Sequence, residues 1–235
     1  CEKPLTPKAA ETSALLDLAS ERGRVLAEAF MYRHHPKTRE LGALVASGEL
    51  GEIHTIRASF NFWTDDPAND VRYSEALAGG ALLDVGSYCV SLANYLLDDE
   101  PEEVAGLEVL ASSGVEERFL GWMSYRSRCV ATFDCSMRSP LSVGASVLGS
   151  AGEAYVAMPW YAHRAPHTIE VRYPDGSSRS IEAVGADAYY LETEDFAASV
   201  AGLKSPEVPP AETVRTLRTI ERLRSSAAIS ISPAG

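Results

Sequence analysis

Glu52-Ile-His-Thr-Ile-Arg-Ala-Ser-Phe-Asn-Phe-Trp63 alternates without a break. Ile56, Ala58, Phe60 and Phe62 fall on one side of an extended chain, and Thr55, Arg57, Ser59 and Asn61 on the other. That period is a strand with one buried face. The same rhythm dominates residues 102–184. Cys129, Ala131, Phe133, Cys135 and Met137 alternate with Val130, Thr132, Asp134 and Ser136. Ile169, Val171 and Tyr173 lead into the turn Pro174-Asp175-Gly176, which predicts a hairpin.

Helices flank this strand-rich stretch. Pro36 to Ser47 reads as a helix with Leu41, Leu44 and Val45 on one face, closed by Gly48. Thr64 to Ala78 is polar, holds Pro67 and Asn69, and reads as loop. Ala81 to Leu97 is apolar almost all round its helical wheel, the pattern of a buried helix. Asp187 is placed to cap a helix through Phe196 to Val200, and Tyr189 and Tyr190 are expected to pack the sheet against it. Pro209-Pro210 precedes a last helix with Val214, Leu217 and Ile220 on one stripe. Its arginines, from 215 to 224, are expected to form a solvated face. Helix and strand are segregated, so the fold class is α/β of the α+β kind, a mostly antiparallel sheet packed on helices.

The first 31 residues have a different rhythm. Thr6-Pro7 predicts a helix start, Ala10, Ala14, Leu15 and Leu18 its apolar face, and Gly23 its C-terminal cap. Arg24 to Met31 reads as a short buried strand. Turn, helix and strand in that order form the unit of a parallel α/β sheet. A single unit cannot cover its own faces, so its neighbours are expected outside this chain.

The 235 residues carry 33 acidic and 21 basic side chains, a formal net charge of -12. A pI near 4.9 argues against a nucleic-acid partner and against attraction to an anionic membrane. No uninterrupted apolar run approaches the roughly 18 residues of a bilayer span, and no signal segment opens the chain. Four cysteines without a C-x-x-C exclude a disulfide scaffold, so a cytoplasmic location is expected. Cys129 and Cys135 are expected to face one way as small hydrophobes. G-x-G-x-x-G, P-loop, H-E-x-x-H and G-x-S-x-G motifs do not occur. The five histidines, His34, His35, His54, His163 and His167, do not cluster with cysteines at metal spacing, and no metal is expected.

One constellation carries chemistry. Asp84 and Tyr88 lie four apart in the helix after Gly79-Gly80 and share a face. A carboxylate beside a phenol can orient it or join its proton transfer. From the spacing alone, an N-terminal helix acid beside a core tyrosine is the favoured reading.

Cys1-Glu2-Lys3-Pro4 resembles the E-K-P motif of the Gfo/Idh/MocA oxidoreductases. Glu28-Ala-Phe-Met-Tyr-Arg-His-His-Pro36 resembles the segment after the next helix in their sugar-dehydrogenase branch. Gly79-Gly-Ala-Leu-Leu-Asp-Val-Gly-Ser-Tyr88 resembles their G-G-[GA]-x-x-x-D-x-G-x-[HY] helix, and Gly149-Ser-Ala-Gly152 a later G-x-x-G turn. The resemblance implies a Rossmann domain followed by an α/β domain with a large open sheet. Residues 1–31 are then a remnant of the Rossmann domain, and 32–235 the substrate-binding and oligomerisation domain. NAD or NADP is the implied cofactor, its main binding site expected ahead of Cys1. An aldose, a related polyol or a dihydrodiol is the implied substrate, and a homodimer or homotetramer through the sheet the implied assembly.

By the same resemblance Lys3, Asp84 and Tyr88 are catalytic. Lys3 contacts the substrate hydroxyl, Tyr88 passes its proton with Lys3 lowering the phenol's pKa, and Asp84 orients the relay. Glu2 and Lys3 lie by the cofactor. Arg33, Asn69 and Arg72 are candidate substrate ligands, with structural salt bridges the other reading of the two arginines, and Trp63 is either a sugar platform or a core edge. Two alternatives stay open: a non-catalytic oligomerisation or substrate-binding module of the same fold, and a lipid-modified Cys1.

Overall fold

A computed structural model describes residues 1–161 and 164–231; His163 lies outside them. The chain forms α1 (Ala9–Glu21), a 3-10 turn (Met31–His34), α2 (Pro36–Ala46) and β1 (Ile53–Trp63). Three short 3-10 turns cross residues 67–77. A π-helical segment (Leu82–Gly86) then runs directly into α3 (Ser87–Leu97). Next come β2 (Glu103–Leu110), β3 (Glu116–Ser124), β4 (Val130–Ser136), β5 (Arg138–Gly149), β6 (Glu153–Ala157), β7 (His167–Arg172) and β8 (Ser178–Ala183). The described chain ends with α4 (Ala188–Val200), α5 (Pro210–Ser225) and β9 (Ala227–Ile231).

The nine strands form one sheet in the order β8-β7-β6-β5-β1-β4-β3-β2-β9. Neighbours pair antiparallel except β1 with β4 and β2 with β9. β1 is central, with Ile56 opposite Ala131 on one side and Val147 on the other. Because register preserves the pleat, apolar positions of all central strands line one face. Ile56, Phe119, Ala131, Cys135, Val147, Val156 and Ile169 are all buried there. Cys129 and Cys135 are buried free thiols on that face, as their spacing requires. The other face carries Arg57, Thr132, Asp134, Leu120 and Trp122 and stays open.

Helices cover the apolar face in layers. The π-α3 rod lies on β1 and β4, α5 lies on α3, and α1 lies on α5. The stretch from Glu75 to Leu97 is long and apolar enough to cross a membrane by length and composition, which the sequence reading missed. However, 67% of its most apolar window is buried within the fold, as expected of a core helix.

Several local expectations need correction. Helix α1 starts two residues late: Thr6 turns inward on itself, its Oγ1 taking the Lys8 N–H and bonding Thr12 Oγ1. The face of α1 that packs on α5 is Ala9 and Thr12, and the expected stripe points outward, with Leu15 and Leu18 each 43% exposed. Gly23, at φ 60°, follows the helix as expected. Residues 24–31 form a single parallel bridge, Glu2 with Ala29, and no regular strand. Tyr189 and Tyr190 are exposed. The arginines of α5 are paired with the segment after α3: Arg215 with Asp98, Arg218 with Glu100, and Arg222 with the carbonyls of Pro101 and Glu102.

Candidate active site

Lys3 is carried on a segment tied down at both ends. Ala29 N–H donates to Cys1 O (2.7 Å), and Leu5 N–H donates to the buried carboxylate of Glu28 (3.1 Å). The Lys3–Pro4 peptide is cis. From there Lys3 Nζ reaches 81 residues ahead, donating to the Asp84 carbonyl and to Asp84 Oδ1 (3.1 Å). The same ammonium lies 4.9 Å from the centre of the Tyr88 ring. The three residues singled out from the sequence therefore meet.

Asp84 sits inside the π-helical segment. Such widened turns recur at functional sites because they re-aim side chains and carbonyls. Arg72 joins it from the loop after β1. Its guanidinium forks onto Asp70 (2.9 and 3.1 Å from Nε), stacks 4.8 Å from the Phe62 ring, and comes within 3.9 Å of Asp84 Oδ2. Lys3, Pro4, Arg72, Gly79, Gly80, Leu83 and Asp84 line one open cleft of about 360 Å³.

Other expected ligands are not brought in. Arg33 is buried, ion-paired with Glu212 of α5, and lies 3.6 Å over the Tyr95 ring. Its position beside a buried carboxylate fixes it in the core, so it is not a substrate ligand. Asn69 is exposed and holds Asp66 at 2.7 Å across its own turn. Glu2 joins Ala29 through its backbone and does not line the cleft. Trp63 is half exposed, with the Arg138 guanidinium 4.0 Å over its ring.

Around Tyr88 the sequence reading missed an aromatic box. Phe30, Tyr32, Phe60 and Trp160 rings lie 5.2, 5.6, 5.3 and 5.8 Å from the Tyr88 ring. The signal was present in Phe30 and Tyr32 of the resembling segment, but Trp160 is far off in sequence. It is fixed by its Nε1–H to Ser59 O (3.0 Å) and by a buried lysine, Lys37, whose Nζ donates to the carbonyls of Met158 and Tyr161 (2.6 and 2.5 Å). Burial inside the box, then Asp84, pushes the Tyr88 phenol above its ordinary range. The expected lowering by Lys3 is not realised: its ammonium faces the ring and is taken up by Asp84. Burial also raises Glu28 to about 7, Glu212 adding to it, and lowers His34 to about 4 against the pull of Asp195.

The cleft suits a nicotinamide beside Lys3. It has room for a flat ring, its Gly79-Gly80 wall lacks side chains, and its cation lies next to a protonated phenol.

Residues 38–155 match the sequence profile of the GFO/IDH/MocA C-terminal domain. The chain is 36% identical over 228 residues to D-xylose 1-dehydrogenase (NADP(+)) 2 of Haloferax volcanii, covering 97% of this chain and 70% of that protein. It is 33% identical over 217 residues to dTDP-3,4-didehydro-2,6-dideoxy-alpha-D-glucose 3-reductase of Streptomyces violaceoruber, covering 86% and 61%. A 3-ketoreductase from Actinomadura kijaniata, solved with NADP and TDP-benzene, superposes with a TM-score of 0.91 at 25% identity over 99% of this chain and 71% of that one.

Proposed function

The chain belongs to the Gfo/Idh/MocA oxidoreductases, and from that premise we propose that it serves NADP-dependent hydride transfer on an unactivated sugar or related polyol. The observation that carries this reading is the meeting of Lys3, Asp84 and Tyr88 beside an open cleft. Nicotinamide, when bound, supplies the hydride donor or acceptor; Lys3 is the residue of this chain that would lie beside it.

The rest of the chemistry falls to the side chains. Asp84 holds the Lys3 ammonium at one place, so its charge is oriented before the reaction and stabilises oxygen charge that develops there. The Tyr88 phenol is protonated at neutral pH, which fits it to give a proton to a carbonyl oxygen during reduction. In the oxidative direction the phenol must first release its own proton to solvent before it can take the hydroxyl's, so oxidation draws on the phenolate form. The aromatic box surrounds the Tyr88 ring and leaves it partly buried.

Charge balance supports the substrate class. Lys3 is paired with Asp84 and Arg72 with Asp70, so neither cation is left over for a diphosphate. Paired carboxylates and amines suit neutral hydroxyls, as in an aldose, better than a nucleotide-linked sugar. The bridge between Glu2 and Ala29 supports reading residues 1–31 as part of a dinucleotide-binding domain, with 32–235 the substrate domain. The open sheet face supports a homo-oligomer.

The test measures NADPH fluorescence and aldose-dependent NADP+ reduction by the protein. Lys3→Ala and Tyr88→Phe are each expected to lower kcat/KM by about 10²–10⁴ with an unchanged melting temperature. Absence of turnover with every aldose and polyol tried, or full activity in both variants, overturns the reading.

A further inference from the structure

The segment carrying Asp84 and Tyr88 begins without a cap of its own: Ala81, at its N-terminal boundary, makes no side-chain capping bond. The acceptor comes instead from another element. Glu116, the first residue of β3, is buried, and its Oε1 accepts from Leu82 N–H at 3.3 Å. The same oxygen accepts from Arg224 of α5 at 3.0 Å. The approach is so close that Gly80 has no room for a side chain. A Cβ there would lie 2.4 Å from Glu116 Oε1, and the backbone stands at φ 119°. Gly79 is pressed from the other side, where a Cβ would meet Arg72 O at 2.3 Å. One turn on, Asp84 N–H returns to Gly80 O at 3.0 Å. The Gly-Gly pair is thus a thin wedge between the Arg72 backbone and the Glu116 carboxylate, and it sets where the widened turn starts.

We propose that Glu116, held in place by Arg224, is a positioning residue for Asp84 and Tyr88. Resting on the oxidoreductase reading, this assigns part of the catalytic geometry to β3 and α5, neither of which lines the cleft. Negative charge at the start of a helical segment favours its free N–H groups, and a fixed start fixes the azimuth of every later side chain. Asp84 is two residues and Tyr88 six residues beyond the capped amide.

The experiment compares Glu116→Ala, Glu116→Gln and wild type in the full-length gene product, by site-resolved amide hydrogen exchange and by steady-state kinetics. The Gln variant keeps an oxygen for Leu82 N–H and guards against failure of the Ala variant to fold. In Glu116→Ala, exchange at Leu82 to Asp84 is expected to quicken roughly fivefold, the effect of losing one cap, while Ala93 to Leu97 stays unchanged. kcat is expected to fall at least tenfold with KM for the sugar within twofold, and Glu116→Gln is expected to recover most of both. Uniform quickening along α3, no change at 82–84, or a Gln variant as impaired as Ala overturns the proposal. Absence of wild-type turnover overturns the oxidoreductase reading alone, because the exchange pattern still decides whether Glu116 sets the segment.

Discussion

Replacing Arg33 by Met tests whether this residue serves the core or the substrate. The side chains of Arg33 and Glu212 are 3% and 8% exposed, so neither charge has water to fall back on. Removing one partner of a buried pair typically costs about 3–5 kcal/mol, most of it from the charge left behind. Glu212 already titrates above the usual carboxylate range, because its burial outweighs the pull of Arg33. It therefore takes up a proton readily once Arg33 is gone, which places the cost near the lower limit, about 3 kcal/mol. For a chain of this size 1 kcal/mol moves the midpoint by about 2–4 °C, so Arg33→Met is expected to melt about 6–12 °C lower. The loss is expected to shrink as pH falls and Glu212 protonates. A second change, Glu212→Leu, removes the stranded carboxyl and is expected to restore most of the midpoint. Thermal melts followed by circular dichroism read all three variants, and KM for the sugar is measured well below the lowest midpoint. A fall of under about 2 °C, or a double variant as unstable as the sum of the singles, refutes the argument. A raised KM without a lowered midpoint returns Arg33 to the substrate.

Glu28 gives a pH dependence with an unusual sign. Its folded carboxyl titrates near 7 against 4.5 unfolded, so the folded chain keeps a proton that the unfolded chain has lost. Its contribution is greatest below pH 4.5 and declines by about 3 kcal/mol as pH rises to 7. Glu28→Gln is expected to flatten that decline in urea titrations at pH 5 and pH 8; an unchanged slope counts against it. Lys37→Met removes the buried ammonium that donates to the Met158 and Tyr161 carbonyls and is expected to cost about 1–3 kcal/mol. It should also shift Trp160 emission to the red as the box opens, whereas an unshifted spectrum means that the loop is held by other contacts.

The sheet was legible because its strands obey a strict period of two, and burial of one face leaves only one register. The Asp84–Tyr88 spacing was legible for the same kind of reason, since residues four apart on a helix share a side whether the turn is α or π. What escaped depends on pairings across distant sequence. Arg33 and Arg72 are the same residue type, and only the fold tells that one faces Glu212 and the other the cleft. In α1 the apolar stripe at 10, 14, 15 and 18 was read as inward, but small Ala9 and Thr12 allow closer approach to α5 and take that place. Glu116 gave no local signal, being one acidic residue at a strand start.

Placing β1 at the middle of the sheet has a consequence for how the protein is made. Val130, the parallel partner of Thr55, emerges 75 residues after it, and the antiparallel partner Leu148 later still. At ~5–20 residues per second, the ribosome leaves the central strand without either neighbour for roughly 4–15 s. During that interval it is an alternating apolar ribbon with two free edges, the form most prone to pair with another nascent chain. His54 and Arg57 are then its own charged or polar guards, and uncharged substitutes there should lower the soluble yield of the protein more than its melting temperature.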